Sequence, residues 1–300
     1  MTPAMKILIA EDDPTQRLVL ERLLRRAGYS VETAANGEDA LTRILEGTFD
    51  ILVTDLDMPG IDGTTLCQRI RDAALMNYVY ILMLTSRTQD ADVAAGLEAG
   101  ADDFVRKPPS ELELMARLKN GSRIVQLQRD AYRLSVMDPL LEVFNRRYLM
   151  NQLRCEIWRA RRYQHPLTVL MADLDYFKQV NDRHGHAVGD QVLVGFARRA
   201  RGLIRESDWM ARSGGEEFVF VLPETPVERG LHVAEKVRQG LAEAPILTSE
   251  VELNVTASFG VAELALGAQD DANALLGRAD QATYRSKEEG RNRVTAATRA

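Results

Sequence analysis

Three hundred residues, 45% hydrophobic and 27% charged, are enough for about two domains, each with its own core, and match ordinary globular protein. The formal net charge of −6 argues against nucleic acid or an anionic membrane as the main partner, and no apolar run approaches the length that spans a bilayer. The two cysteines, Cys67 and Cys155, lie far apart without metal-ligand spacing and are expected as buried, reduced thiols. With no secretory leader in the first residues, the chain is expected in the cytoplasm.

Apolar strands and amphipathic helices alternate over the first 120 residues. Lys6–Ala10, Ser30–Ala34, Phe49–Thr54, Val79–Leu84 and Asp103–Val105 read as strands; Pro14–Arg26, ended by Gly28, and Gly37–Glu46 read as helices. This alternation predicts an α/β domain with a five-stranded, doubly wound parallel sheet, whose ligands sit beyond the carboxyl ends of the strands. Glu11 and Asp12 follow the first strand, Asp55 the third, Thr85 and Ser86 the fourth, and Lys107 the fifth. All are expected to meet at one edge. Wet loops explain one or two acids there, but not a threonine and a Lys-Pro at the matching ends. Asp13 is read as a solvated charge.

This segment, taken as residues 4–120, resembles the receiver domain of response regulators, with a flavodoxin-like fold. The resemblance implies that Asp55 accepts a phosphoryl group from a sensor histidine kinase. It implies a Mg²⁺ site (or Mn²⁺) formed by Glu11, Asp12, Asp55 and the main-chain carbonyl of Asp57. Lys107 and the Thr85 hydroxyl would hold phosphate oxygens while the metal neutralises the transferring group. Phe104 would be the aromatic switch that follows Thr85 inward.

A connecting helix is expected over 110–137, with Ser110 as its cap and acids in the first turn. Ile124, Leu127, Ala131 and Leu134 form one apolar stripe, and Leu118, Val125 and Tyr132 a second at spacing seven. The pattern predicts a short coiled coil and hence a homodimer; the competing reading is a single helix packed on its own domain.

Beyond it, residues 167–172 read as a buried strand leading into Asp173-Leu174-Asp175. Asp208–Ser213 and Phe218–Leu222 flank Gly214-Gly215-Glu216-Glu217, a hairpin with a two-glycine turn. If the strands are neighbours, carboxylates from both converge and call for a hard cation such as Mg²⁺, whose habitual co-ligand is a nucleotide polyphosphate. The glycines allow close backbone approach.

Residues 138–297 resemble the GGDEF (here GGEEF) domain of diguanylate cyclases, a nucleotidyl-cyclase-like α/β fold with a mixed sheet. The residues that carry this are Asp138-Pro139-Leu140 through Asn145-Arg146-Arg147, then Asp173-x-Asp175-x-Phe177-Lys178-x-x-Asn181-Asp182-x-x-Gly185-His186-x-x-Gly189-Asp190. After the turn come Ala279-Asp280, Tyr284 and Lys287-x-x-Gly290-Arg291-Asn292. An ordered series of this length is far more specific than the five-residue turn.

The resemblance implies a nucleotidyltransferase that condenses two GTP into cyclic di-GMP and two pyrophosphates, each half-site holding one GTP. Asp173, Glu216 and the Leu174 carbonyl would hold metal, with Glu216, Glu217 and Lys178 in catalytic roles. Asn181 and Asp190 would read guanine. Phe177, Gly214 and Gly215 would line the substrate, and Lys287 and Arg291 would hold phosphates. Asp175 is expected to be structural. Arg205-x-x-Asp208 stands in the register of the family's inhibitory product site, completed by Lys236 or Arg238. The alternative reading is a catalytically weak module that binds GTP or cyclic di-GMP.

Overall fold

The computed structural model describes residues 5–73, 75, 77–86, 90–266 and 270–298, and for residues 90–93 the backbone alone. Residue 4, the expected start of the first domain, lies outside these. The chain divides into two compact units between Tyr132 and Arg133.

The first unit runs β1 (Lys6–Ala10), α1 (Pro14–Arg26), β2 (Ser30–Ala34), α2 (Gly37–Glu46), β3 (Ile51–Asp55), α3 (Gly63–Asp72), β4 (Tyr80–Thr85), α4 (Asp90–Glu98), β5 (Asp103–Arg106) and the start of α5 (Glu111–Val136). Its five strands form one parallel sheet in the order β2-β1-β3-β4-β5. Helices cover both faces, so the inner strands β3 and β4 are buried along their whole length rather than on alternate residues. Short polar side chains start the helices. Asp13, read from the sequence as solvated, accepts from the Gln16 amide at 2.7 Å as the cap of α1. Asn36 and Asp62 cap α2 and α3 in the same way.

Helix α5 does not break at Gly121. A Cβ there would stand 2.5 Å from ring carbons of Tyr80, so the missing side chain lets the helix lie against β4. Leu114, Leu118, Gly121 and Val125 form its buried stripe. The predicted stripe that begins at Ile124 behaves differently: its Leu127 and Leu134 are 57% and 72% exposed.

The second unit runs α6 (Arg146–Tyr163), β6 (Leu167–Leu174), α7 (Phe177–His184), α8 (His186–Arg201), β7 (Trp209–Gly214), β8 (Glu217–Pro223), α9 (Val227–Ala242), β9 (Ile246–Leu247), β10 (Glu252–Leu253), β11 (Ala257–Glu263), α10 (Ala272–Glu288) and β12 (Val294–Ala296). Its main sheet has the order β12-β11-β6-β8-β7, antiparallel except for the β11–β12 pair. Central β6 is buried along all eight residues. Leu170, Ala172 and Leu174 enter a core with Phe196 of α8 and Val237 of α9, while Val169 and Met171 enter another with Leu153 of α6 and Leu275 of α10. The short β9–β10 hairpin and β12 were not foreseen from the sequence.

The cysteines part company. Cys67 is buried as expected, but Cys155 is exposed on α6, because its turn of helix faces away from the core. Burial pushes the Cys67 thiol up to about 12, with nearby Asp102 and Asp62 adding to the effect against Arg71. Native protein near neutral pH should therefore titrate one thiol with Ellman's reagent, and two once denatured. Rapid reaction of two thiols in the native state would contradict the packing of α3.

Candidate active sites

In the first unit the parallel register brings the carboxyl ends of β1, β3 and β5 together. Glu11 and Asp55 are buried and Asp12 is exposed, and one carboxylate oxygen of each lies within 4.8 Å of those of the other two. The backbone amide of Lys107 donates to the Thr85 carbonyl at 2.8 Å, which seats the lysine at the same edge. Its Nζ donates to Asp55 Oδ2 at 2.6 Å and Glu11 Oε2 at 2.7 Å.

The electrostatics follow from crowding. Burial, aided by the charge of Asp55, raises the Glu11 carboxyl above its ordinary range despite the opposing pull of Lys107. Burial alone would lower the Lys107 amine, but its hydrogen bonds to Asp55 and Glu11 outweigh this and raise it. Glu11 Oε1 is buried with no hydrogen-bond partner. An all-oxygen donor set with one buried oxygen unspent fits a hard divalent cation.

Asp57 lies in the loop after β3, its amide donating to Asp55 Oδ1 at 3.3 Å. Thr85 is buried at the end of β4, and Phe104 of β5 is partly buried against the core. The expected constellation is thus assembled at one sheet edge.

In the second unit Asp173 lies on β6 opposite Glu217 of β8 and Ser258 of β11. Lys287, at the end of α10, reaches it at 2.6 Å. Burial, with the charges of Glu216 and Glu217 adding to it, raises the Asp173 carboxyl, and Lys287 offsets part of the effect. The Leu174 amide donates to the Glu216 carbonyl at 3.4 Å, so the turn lies directly against the end of β6. Gly215 has φ +48°, a left-handed conformation that side chains disfavour.

Arg212 fixes this turn from behind. Its Nε donates to the Gly215 carbonyl at 2.8 Å and its Nη1 to Asp138 Oδ2 at 3.1 Å, while Asp138 Oδ1 accepts from the amides of Leu140 and Leu141. Arg212 carried no expectation in the sequence reading. An arginine two residues before a Gly-Gly turn was the available signal.

A cavity of about 590 Å³ opens beside Asp173, lined among others by Glu217, Asp280, Tyr284 and Lys287. Asn181 on α7 packs against α8 at Gly189, the residue before Asp190: a Cβ there would stand 1.9 Å from Asn181 Oδ1. Lys178 is exposed, and Arg291 sits in a left-handed turn after α10. Phe177 differs from expectation: its ring is buried in the core beneath α8. Asp175 is buried and fully engaged, accepting from Thr256 Oγ1, Ser258 Oγ and the Asn292 amide.

A second cavity, of about 300 Å³, is lined by Arg205, Asp208, Arg229, His232 and Lys236. Asp208 accepts from the Arg205 amide at 3.2 Å, and burial raises its carboxyl. Lys236 reaches the Leu203 carbonyl at 2.9 Å. Arg238 is not at this cavity: it binds Glu235 Oε1 at 2.6 Å and Asn292 Oδ1 at 2.7 Å. Helical spacing explains the difference, since residues 229, 232 and 236 share a face of α9 and 238 does not. That spacing would also have found Arg229.

Residues 135–293 match the family described as Diguanylate cyclase, GGDEF domain, and residues 7–119 match the Response regulator receiver domain. The first match covers more than half of the chain, which belongs to the GGDEF family and carries a receiver domain ahead of it. It is 31% identical over 304 residues to response regulator PleD of Caulobacter vibrioides, an alignment that takes in 96% of this chain and 65% of PleD. It is 39% identical over 170 residues to a diguanylate cyclase of Vibrio cholerae, covering 57% of this chain and 52% of that protein. The chain thus spans between half and two thirds of the length of these relatives. Among solved structures, the coiled coil and GGDEF domain of DgcB from Caulobacter crescentus, in complex with c-di-GMP, aligns with TM-score 0.55 and 29% identity over 61% of this chain and 99% of that one.

The Glu11–Asp55–Lys107 geometry makes a direct prediction. Lys107→Ala, by leaving two close carboxylates uncompensated, should cost the receiver domain about 1–3 kcal/mol. Hydrogen exchange of β1 and β3 should speed up accordingly, and Mg²⁺ should reverse part of the change. Unaltered protection without metal would show that the lysine is not balancing the acids.

Proposed function

We propose that the chain is a diguanylate cyclase controlled by phosphorylation of Asp55. The observation that carries this is the convergence of Asp173, Glu216, Glu217 and Lys287 at one sheet edge in a GGDEF-family domain, preceded by a receiver domain with its acids and lysine assembled. GTP is the substrate class that fits this reading, in which Asn181 and Asp190 read guanine and Lys178, Lys287 and Arg291 hold the phosphates. An Asp accepting from the N1–H and exocyclic amine of guanine rejects adenine, which offers no donor pair there.

Mg²⁺ or Mn²⁺, held by Asp173, Glu216 and the Leu174 carbonyl, would supply charge neutralisation at the α-phosphate. Each 3′-hydroxyl then attacks the α-phosphorus of the other nucleotide, forming a P–O bond as pyrophosphate departs. One domain holds one GTP, so two domains must face each other as a homodimer. The exposed Leu127 and Leu134 on α5 support a coiled-coil pairing of two copies. Residues 110–137 are accordingly read as the connector, between a receiver domain over 4–120 and a cyclase domain over 138–297. A sensor histidine kinase is the natural phosphodonor, and the cytoplasm the natural compartment; no described helix is long and apolar enough to cross a membrane.

Product inhibition at the cavity of Arg205, Asp208 and Lys236 belongs to the same reading. Where a planar guanidinium would pair with guanine, Lys236 offers a point charge, which favours weak feedback; Arg229 supplies a guanidinium from the same helix face.

The test is GTP turnover with Mg²⁺, with and without beryllofluoride, quantifying cyclic di-GMP and pyrophosphate together. Beryllofluoride should stimulate synthesis in the unmodified protein and leave Asp55→Asn at its basal rate. Glu216→Gln should lower synthesis by about 100-fold or more while the dimer persists. Arg205→Ala should release product feedback. Nucleotide binding without product under either condition would favour the catalytically weak binding module instead.

A further inference from the structure

The cations around the proposed nucleotide half-site are not equivalent. Lys287 is paired with Asp173 at 2.6 Å. The Arg291 guanidinium makes no ion pair or side-chain hydrogen bond among the described residues, and its Cζ lies 4.6 Å from the centroid of the Tyr176 ring. Tyr176 stands two residues beyond the end of β6 and is 55% exposed.

The backbone on both sides of this contact is unusual. Tyr176 has φ +59°, and Gly290, Arg291 and Asn292 have φ +115°, +63° and +45°. A non-glycine residue in the left-handed region is strained and persists only where its surroundings hold it. Here they do. Buried Asp175 accepts from the Asn292 amide at 3.0 Å while Thr256 and Ser258 hold its carboxylate, each at 2.7 Å. From the other side Arg238 donates to Asn292 Oδ1 at 2.7 Å. The loop is thus clamped where Arg291 meets the ring.

We propose that Tyr176 is a positioning residue for the nucleotide's β- and γ-phosphates, acting through Arg291; this rests on the GTP-condensing reading above. A carboxylate partner would also hold Arg291 in place, but it would occupy the N–H donors and compete with phosphate. An aromatic ring engages only the face of the guanidinium. All five N–H groups at its edge stay available for bidentate phosphate contacts. The arginine is pre-oriented without being neutralised, so less rotamer entropy is lost on binding.

The test uses the full chain. Tyr176→Ala should raise the KM for GTP roughly 3- to 30-fold, the range of a cation–π contact, with kcat within about 2-fold. Tyr176→Phe, which keeps the ring face, should behave like the unmodified protein. Affinity for GMP, which lacks the β- and γ-phosphates, should not change. In an Arg291→Ala background, Tyr176→Ala should add nothing. Should the alanine variant fold poorly, Tyr176→Asn removes the ring with a side chain that tolerates positive φ.

Three results would each overturn the role: an unchanged KM in both ring-removing variants, a parallel loss of GMP affinity, or full additivity with Arg291→Ala. Absence of GTP binding and turnover in the unmodified protein would instead overturn the functional reading, and this role with it.

Discussion

In each domain, a lysine from a segment distant in sequence pairs with acids delivered by the strand ends. Lys107 balances Glu11 and Asp55, and Lys287 balances Asp173. Two unit charges within 4.8 Å repel by roughly 3 kcal/mol at an effective dielectric of 20, so such clusters stay ionised only with a cation in their midst. The ammonium meets that need with a single charge and three donors. It leaves a buried Glu11 oxygen unspent, and it leaves the carboxyls of Glu11 and Asp173 raised rather than lowered. Both sites are therefore only partly neutralised by the protein itself. That incomplete balance would suit the divalent cation proposed for each.

Charge alone does not fix geometry, and the two domains solve that problem differently. In the receiver domain a parallel sheet does it: strands running the same way end at the same edge, so residues far apart in sequence meet without special contacts. The GGDEF domain has a largely antiparallel sheet, whose ends collect turns of both polarities. There the acids need explicit ties. Arg212 ties the Gly215 carbonyl to Asp138 at the start of the domain, and Asp175 ties the end of β6 to the loop after α10. Neither side chain need touch a substrate to act. Each sets where a neighbouring main chain runs.

This division explains what could be read from the sequence. Strand ends of an alternating β/α pattern are legible because period and polarity mark them, so the sequence itself assigns Glu11, Asp12, Asp55, Thr85 and Lys107 to one edge. The hairpin around Gly214 was legible for the same reason. Tertiary ties were not, since Arg212 looks like any charged residue near a turn, and Arg238 like any charged residue on a helix, until their partners are known. Phe177 was misjudged because an aromatic amid polar motif residues looks functional, whereas the fold uses it as a core plug under α8. Cys155 was misjudged because residue type suggests burial while helix phase decides it. The short β9–β10 and β12 strands carry too few residues for a period to show.

Helix α5 shows how one sequence pattern can serve two surroundings. Its apolar residues fall in two stripes, and the sequence offered two readings of them, an intramolecular packing face and a coiled-coil seam. Leu114, Leu118 and Val125 are fully used within the receiver domain, where Gly121 admits the Tyr80 ring. Leu127 and Leu134 are left in solvent, although burying a leucine is worth about 1.5–3 kcal/mol. A helix that needed only to pack on its own domain would gain nothing from apolar residues at those positions. Their exposure supports the proposed pairing of two copies beyond the receiver domain. Such a pairing would suit a cyclase whose two half-sites must meet, because the helix that carries the seam is the same one that leads into the domain holding the chemistry.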